Sequence, residues 1–220
     1  MPGYEVKFET VTVGGTDYRI RSLLDLQQYS DPLGEAERAG ISPASWPLFG
    51  HIWPSARTLA LAMDSFDLTN KRVLEIGAGL ALASLVVHGR AGNMTVSDCH
   101  PLSQGFLEEN LRLNDLGPMA YQTGNWNIAN PLLGRFDLII GSDVLYERDQ
   151  PALLAAFIDR HAATTAEIII VDPDRGNRPH FCRAMSALGY AVTERRANAM
   201  LENGERYKGR FLHFQRSLLN

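Results

Sequence analysis

Two short runs of consecutive apolar residues constrain the fold more than any other feature of the sequence. They are LII at 138–140 and IIIV at 168–171. A strand with apolar side chains on both faces has no side for water, so it belongs inside a parallel sheet that is covered on both faces. Segments with helical spacing of apolar residues alternate with these and other strands, which predicts an α/β fold. We predict strands at 72–76, 94–98, 119–123, 136–141 and 167–172, helices starting at Pro54 and near 80–88, 101–114, 150–162 and 178–188, and a final strand–turn–strand at 190–195, 202–205 and 207–216.

The first fifty residues read as an extension of this α/β domain. Apolar and polar residues alternate over 5–21, and Gly14 and Gly15 interrupt them where a tight hairpin turn needs positive φ. The stretch at 30–53 is rich in Pro, Gly and Ser and predicts an irregular wrapping segment. We therefore divide the chain into an N-terminal extension at 1–50 and one larger domain at 51–220.

Composition narrows the class of protein. Among 220 residues there are two cysteines, without metal-ligand spacing, which favours a reducing compartment and a cytoplasmic protein. A net charge of −4 disfavours a nucleic-acid binder, and no apolar run is long enough to cross a membrane. The six histidines form no metal-binding pair, so no metal is expected. A monomer is the default expectation, because no coiled-coil pattern is evident.

The most informative motif is a strand that ends in Gly77-Ala78-Gly79 just before a helix. Glycine there lets the backbone approach a ligand closely, and the helix N-terminus offers free N–H groups to it. Asp98 lies 21 residues after Gly77, at the end of the next strand, where an acidic residue holds an adenosine ribose. The alternative is a tight strand-to-helix turn that binds nothing.

The identity of the nucleotide follows from two neighbours of this loop. The third glycine of a dinucleotide fingerprint is replaced by Leu82, which disfavours a pyrophosphate. Glu75 precedes the first glycine, where a carboxylate would repel a diphosphate but could help to hold an amino-acid ammonium. Together these residues favour S-adenosylmethionine (SAM), and a nicotinamide dinucleotide remains the alternative.

Four segments resemble the class I, seven-strand SAM-dependent methyltransferases, and more narrowly methyltransferase family 16, which includes many protein-lysine methyltransferases. The resemblance covers about 45–220 and rests on HIWPS at 51–55, LEIGAG at 74–79, Asn125-Trp126, and FDLIIGSDVLY at 136–146, which ends in the signature Asp143-x-x-Tyr146. One departure is Ala81, where many such loops have a further glycine.

The resemblance implies a Rossmann-like, seven-stranded, mainly parallel sheet with helices on both faces and an antiparallel last strand. It also implies SAM at the carboxyl ends of the strands and S-adenosylhomocysteine as the product. Asp143 and Tyr146 would lie on the acceptor side. The implied cofactor-binding residues are Glu75, Gly77 and Gly79 toward the methionine portion, Asp98 at the ribose, Trp126 at the adenine, Trp53 at the mouth, and Ser142.

The function this predicts is N-methylation of a lysine side chain in a protein substrate. The alternatives are a small-molecule methyltransferase and a SAM-binding protein without turnover. Asp143 could also be a helix cap, Tyr146 an ordinary half-buried tyrosine and Trp126 a core residue. Asp172 and Asp174 are expected at a loop rim. Arg175 is expected to be solvated, with contact to an acidic partner as the alternative.

Overall fold

The computed structural model describes residues 3–147, 150–200, 204 and 206–216, over which nine strands and six α-helices are formed. A 3-10 helix covers Trp46–Gly50. The strands are β1 (Val6–Val13), β2 (Thr16–Leu23), β3 (Arg72–Ile76), β4 (Asn93–Asp98), β5 (Ala120–Thr123), β6 (Phe136–Ser142), β7 (Ala162–Asp172), β8 (Ala191–Arg196) and β9 (Arg210–Gln215), and the helices are α1 (Glu35–Arg38), α2 (Pro54–Ser65), α3 (Leu82–Gly89), α4 (Ser103–Leu113), α5 (Pro151–His161) and α6 (Arg178–Ala187).

Seven of these strands form one sheet in the order β5-β4-β3-β6-β7-β9-β8. Strands β3 to β7 pair in parallel, whereas β9 pairs antiparallel with both β7 and β8. This confirms the predicted sheet and its antiparallel last strand. The chain runs outward from β3 in one direction and from β6 in the other, so the carboxyl ends of these two strands open a crevice at the topological switch point.

The sheet is covered on both faces, as the two apolar runs predicted. In β7, Ile169 and Val171 pack into one core with residues of α2, α3 and α4. The alternate residues Ile168 and Ile170 pack into a second core with residues of α5 and α6. Each apolar side chain of the run at 168–171 is therefore buried in one of the two cores. This explains why apolar and polar residues do not alternate in that part of β7.

The structure differs from the sequence prediction at several boundaries. The predicted irregular stretch contains α1 and the 3-10 helix, and β7 begins at Ala162 rather than at 167. Helix α3 begins at Leu82 because Ala81 adopts a left-handed conformation with φ 58°. Of the polar turn predicted at 202–205, only Gly204 lies within the described residues.

The N-terminal hairpin packs on the larger domain. Its turn has φ 58° at Gly14 and 86° at Gly15, which explains the two glycines. The Asn110 side-chain oxygen of α4 accepts a hydrogen bond from the backbone N–H of Arg21 at 2.7 Å. Val11 and other hairpin residues join the first core, whereas Phe8 remains 58% exposed. Within the described part of the chain, no helix combines the length and apolarity needed to cross a membrane.

Candidate active site

A cavity of about 480 Å³ lies at the carboxyl ends of β3, β4 and β6. Its volume lies within the range of roughly 300–1,000 Å³ that is typical of small-molecule sites. Two predicted site residues, Glu75 and Gly79, do not line it. The predicted residues that do are Trp53, Gly77, Asp98, Trp126, Ser142, Asp143 and Tyr146.

The glycine loop is shaped by close backbone packing. Gly77 and Gly79 have φ 55° and 54°, in the left-handed region that favours glycine. A Cβ on Gly77 would lie 2.8 Å from Val144 Cγ1, and one on Gly79 would lie 2.8 Å from the carbonyl oxygen of Phe49. Neither position has room for a side chain, so the loop presents bare backbone to the cavity at Gly77.

Glu75 lies beneath the loop, where it accepts hydrogen bonds from α3. Its carboxylate is 1% exposed and accepts from the backbone N–H of Ser84 at 2.9 Å and from the Ser84 hydroxyl. Burial raises the pKa of Glu75 to about 7. This carboxylate therefore satisfies a free N–H group in the first turn of α3 and fixes the helix to the strand before the loop.

Asp98 connects the glycine loop to the next strand end. One carboxylate oxygen accepts from the Gly79 N–H and the other from the His100 N–H, each at 2.8 Å. The side chain is buried, and burial raises the pKa of Asp98. Because both bonds come from backbone groups, this carboxylate is held rigidly at the cavity wall.

Aromatic side chains form much of the cavity wall. The Trp53 indole N–H donates to the Leu48 carbonyl at 2.9 Å, which fixes the ring. Tyr146 is 43% exposed, and desolvation raises the pKa of its phenol, which stays protonated at neutral pH. Trp126 is half-buried and lines the cavity, so it is not an ordinary core residue.

Asp143 follows β6 and points a carboxylate toward the segment after β7. It has φ 56°, and its backbone N–H donates to the Val171 carbonyl at 2.9 Å. Its side-chain oxygen accepts from Arg175 Nε at 2.5 Å. Helix α5 begins later, at Pro151 with Gln150 as its N-cap, so Asp143 is not a cap of that helix.

One residue of the cavity wall, His100, was missed by sequence reasoning. His100 stacks on Phe49 with centroids 3.7 Å apart, and burial lowers its pKa to about 3. The Leu102 N–H donates to its Nδ1, so Nε2 carries the hydrogen of the neutral ring. Among the described residues Nε2 has no hydrogen-bond partner. Only its position two residues after Asp98 could have indicated it.

Asp172 was expected at a loop rim, and this expectation is wrong. Its side chain is fully buried, and burial raises its pKa to about 6. One carboxylate oxygen accepts from the Arg175 backbone N–H at 2.8 Å, and the other has no partner among the described residues. The described part of the chain contains no group of three or more His, Cys, Asp or Glu side chains that could hold a metal.

Comparison with known proteins finds relatives that are named as lysine methyltransferases. The electron transfer flavoprotein beta subunit lysine methyltransferase of Rattus norvegicus is 30% identical over 143 residues, covering 63% of this chain and 55% of that protein. Protein N-lysine methyltransferase METTL21A of Xenopus tropicalis is 27% identical over 151 residues, covering 65% and 69%. The chain thus spans little more than half the length of the first of these relatives.

A similar fold occurs in a 16S rRNA methyltransferase of T. thermophilus, whose structure contains AdoMet and guanosine. The TM-score is 0.64 at 13% identity, over 97% of this chain and 51% of that one. AdoMet is SAM, and the bare loop at Gly77 and the cavity volume of this chain have room for a cofactor of that kind. A family model for lysine methyltransferases matches residues 47–186, which is more than half of the sequence. The chain therefore belongs to the lysine methyltransferase family.

Proposed function

We propose that the protein is a SAM-dependent N-methyltransferase that modifies a lysine side chain of a protein. The observation that carries the proposal is one open cavity that joins the glycine loop at Gly77 to the carboxylate of Asp143. Two relatives are named for lysine methylation of proteins, which supports this class of substrate.

At the cofactor end, the proposal assigns binding to the residues around the glycine loop. Gly77 offers backbone without a side chain, Asp98 offers carboxylate oxygens for the ribose hydroxyls, and Trp126 offers an aromatic face for the adenine. Ser142 would contact the cofactor from the end of β6. Glu75 would act from below the loop, through its bond to Ser84, rather than from the cavity wall.

At the acceptor end, the difficulty is the charge of lysine. A lysine amine has a pKa of about 10.4, so at about pH 7.4 only one in roughly a thousand is neutral. Asp143 would bind the ammonium and orient it, and Trp53 and Tyr146 would exclude water around it. Partial desolvation by these rings lowers the pKa of the bound amine, which raises the fraction able to react.

The transfer itself needs alignment more than activation. When bound, SAM supplies an electrophilic methyl group on a positively charged sulfur. The amine would lose its proton to water at the cavity mouth, so that its lone pair would be free to accept the methyl group. Asp143 contributes by holding the nitrogen in line at a contact of about 3–3.5 Å. It positions the amine, because a carboxylate that paired too strongly with the ammonium would oppose deprotonation.

We further propose that the protein works as a monomer in the cytoplasm. Cys99 and Cys182 are both free thiols, which supports a reducing compartment. Size-exclusion chromatography with light scattering would test the monomer, and fractionation of cells would test the compartment.

The proposed function is tested by incubating the purified protein with methyl-labelled SAM and lysate of cells that lack the gene. We expect a labelled protein band with the unmodified enzyme and not with Asp143→Asn. Asp137→Asn is the matched control, because Asp137 lies at the opposite end of β6, where it pairs with Arg72. Absence of a labelled protein despite measured SAM binding would contradict protein methylation and favour a small-molecule acceptor or a role without turnover.

A further inference from the structure

The segment after β7 places a cation on the carboxylate that faces the acceptor end of the cavity. Arg175 Nε donates to an Asp143 oxygen at 2.5 Å, and both residues line the cavity. The Asp143 side chain is only 13% exposed, whereas that of Arg175 is 40% exposed. The carboxylate is therefore fixed and desolvated, and the guanidinium reaches it from the solvent side.

The Arg175 guanidinium forms ion pairs with fewer acidic side chains than the neighbouring arginines do. Among the described residues, Asp143 is the only hydrogen-bond partner of the Arg175 guanidinium. Arg178 and Arg210 each form ion pairs with both Asp174 and Glu194. One partly exposed ion pair contributes little free energy, so the Arg175 side chain can be displaced more easily than the other two.

The backbone of Asp143 is held in one conformation. Its left-handed backbone and the bond from its N–H to the Val171 carbonyl fix the direction of its side chain. An acceptor ammonium bound to the same oxygen would lie against the guanidinium, and two like charges in contact repel each other strongly. The two cations therefore compete, and each weakens the binding of the other to Asp143.

We propose that Arg175 is a positioning residue that influences acceptor specificity by competing with an incoming lysine for the carboxylate of Asp143. This inference rests on the proposed function. It predicts discrimination by substrate class, because a lysine within a protein can offset the displacement through contacts made by its neighbouring residues. A free amine has no such contacts and competes poorly.

A second carboxylate, that of Asp172, lies beside the Arg175 backbone and can accept the displaced guanidinium. The Arg175 backbone N–H already donates to one oxygen of Asp172 at 2.8 Å. The other oxygen of Asp172 is buried and has no partner among the described residues. A buried oxygen without a partner is costly, so a guanidinium that turned from Asp143 toward Asp172 would exchange one acceptor for another.

The test measures cation binding at Asp143 without any transfer step. The protein is first loaded with S-adenosylhomocysteine (SAH), and Nα-acetyl-lysine methylamide is then titrated into it as a probe. The Kd of this probe is measured by NMR. We expect Arg175→Gln to bind this probe about two- to fivefold more tightly than the unmodified protein, as loss of one partly exposed ion pair predicts. Arg175→Lys keeps a competing cation and should remain within a factor of two of the unmodified protein.

Two control variants complete the test. Arg178→Gln removes a charge from the same segment but not from Asp143, so its Kd should equal that of the unmodified protein. Asp143→Asn should weaken probe binding in every background. Unchanged or weaker binding by Arg175→Gln would overturn the inference. Failure of the proposed function would show itself separately, as absence of label transfer to lysate protein while the probe still binds at Asp143.

Discussion

Asp98 and Asp143 both lie at the carboxyl ends of parallel strands in the same cavity, but their oxygens have different partners. Asp98 accepts two hydrogen bonds from backbone N–H groups, at Gly79 and His100. Asp143 accepts one from the side chain of Arg175, which is 40% exposed. Backbone donors are fixed by the fold, whereas an exposed guanidinium can leave.

Under the proposed function, this difference shows how a cofactor end and an acceptor end of the cavity divide their tasks. The cofactor end has its carboxylates, Glu75 and Asp98, committed to the loop and to α3, so it is organised before any ligand binds. The acceptor end has a carboxylate whose partner is exchangeable, so it can accept a cation from outside. Variants at the first end should change stability and cofactor binding, and variants at the second should change transfer.

The largest effect is expected from the buried carboxylate of Glu75, as a dependence of stability on pH. Its pKa is raised by burial from 4.5 to about 7 in the folded protein. Between these values the folded state binds more protons than the unfolded state, so stability is fully present below pH 4.5 and lost as pH rises through 7. The loss attributable to Glu75 is about 3 kcal/mol.

Glu75→Gln isolates this contribution, because glutamine keeps an oxygen that can accept from Ser84 but does not titrate. The free energy of unfolding is measured with urea at pH 5 and at pH 8. We expect it to fall by less between these two pH values in Glu75→Gln than in the unmodified protein. Asp172→Asn is a comparison variant, since burial raises the pKa of Asp172 only to about 6. Equal pH dependence in Glu75→Gln and the unmodified protein would contradict the role of burial.

The next largest effect is expected on transfer. Asp143→Asn keeps the shape of the side chain but removes its charge, so the acceptor amine loses its orienting partner. We expect kcat/KM for a protein acceptor to fall about 100-fold. Steady-state kinetics with the labelled acceptor would measure this, and a fall of less than about threefold would show that Asp143 does not position the amine.

A smaller effect is expected from the packing of the glycine loop. A Cβ on Gly79 would lie 2.8 Å from the Phe49 carbonyl oxygen, at a φ of 54°. Gly134 has φ 77° with nothing within 4 Å of its Cβ position, so Gly134→Ala measures the conformational cost alone. We expect Gly134→Ala to cost about 1 kcal/mol and Gly79→Ala about 1 kcal/mol more. Equal costs, measured by denaturant unfolding, would show that the loop adjusts freely.

The smallest effect is expected at Ala81, where the family resemblance leads us to expect glycine. Its φ of 58° explains that preference, and relief of the strain by Ala81→Gly should contribute about 1 kcal/mol. Loss of the buried methyl group and the greater freedom of glycine when unfolded offset a similar amount. We expect a net change below about 0.5 kcal/mol in thermal unfolding. A larger stabilisation would mean that alanine strains the loop more than its packing repays.

Local patterns predicted most of the fold and the close packing of the glycine loop. Consecutive apolar residues in β6 and β7 indicated a sheet covered on both faces, and the glycines before α3 indicated a close approach of backbone. These properties depend on neighbours in sequence. Element boundaries were less certain where local rules conflict, as at Ala81, which the helix pattern included but whose backbone is left-handed.

The acceptor end could be predicted only in part. The resemblance indicated Asp143 and Tyr146, but the pairing of Asp143 with Arg175 joins residues 32 apart and depends on the register of β6 against β7. Asp172 looked like a rim residue because a proline follows it, yet β9 covers the strand end and buries it. Contacts of this kind arise from tertiary packing, which no local pattern encodes.

The division of the cavity into two ends is tested most directly by calorimetric titration of SAM into two variants. A side chain at Gly77 would enter the space of the loop and Val144, so Gly77→Ala, shown to be folded by circular dichroism, should raise the Kd for SAM by about tenfold or more. Asp143→Asn should leave that Kd within about twofold of the unmodified protein. Equal weakening of SAM binding by both variants would contradict separate cofactor and acceptor ends.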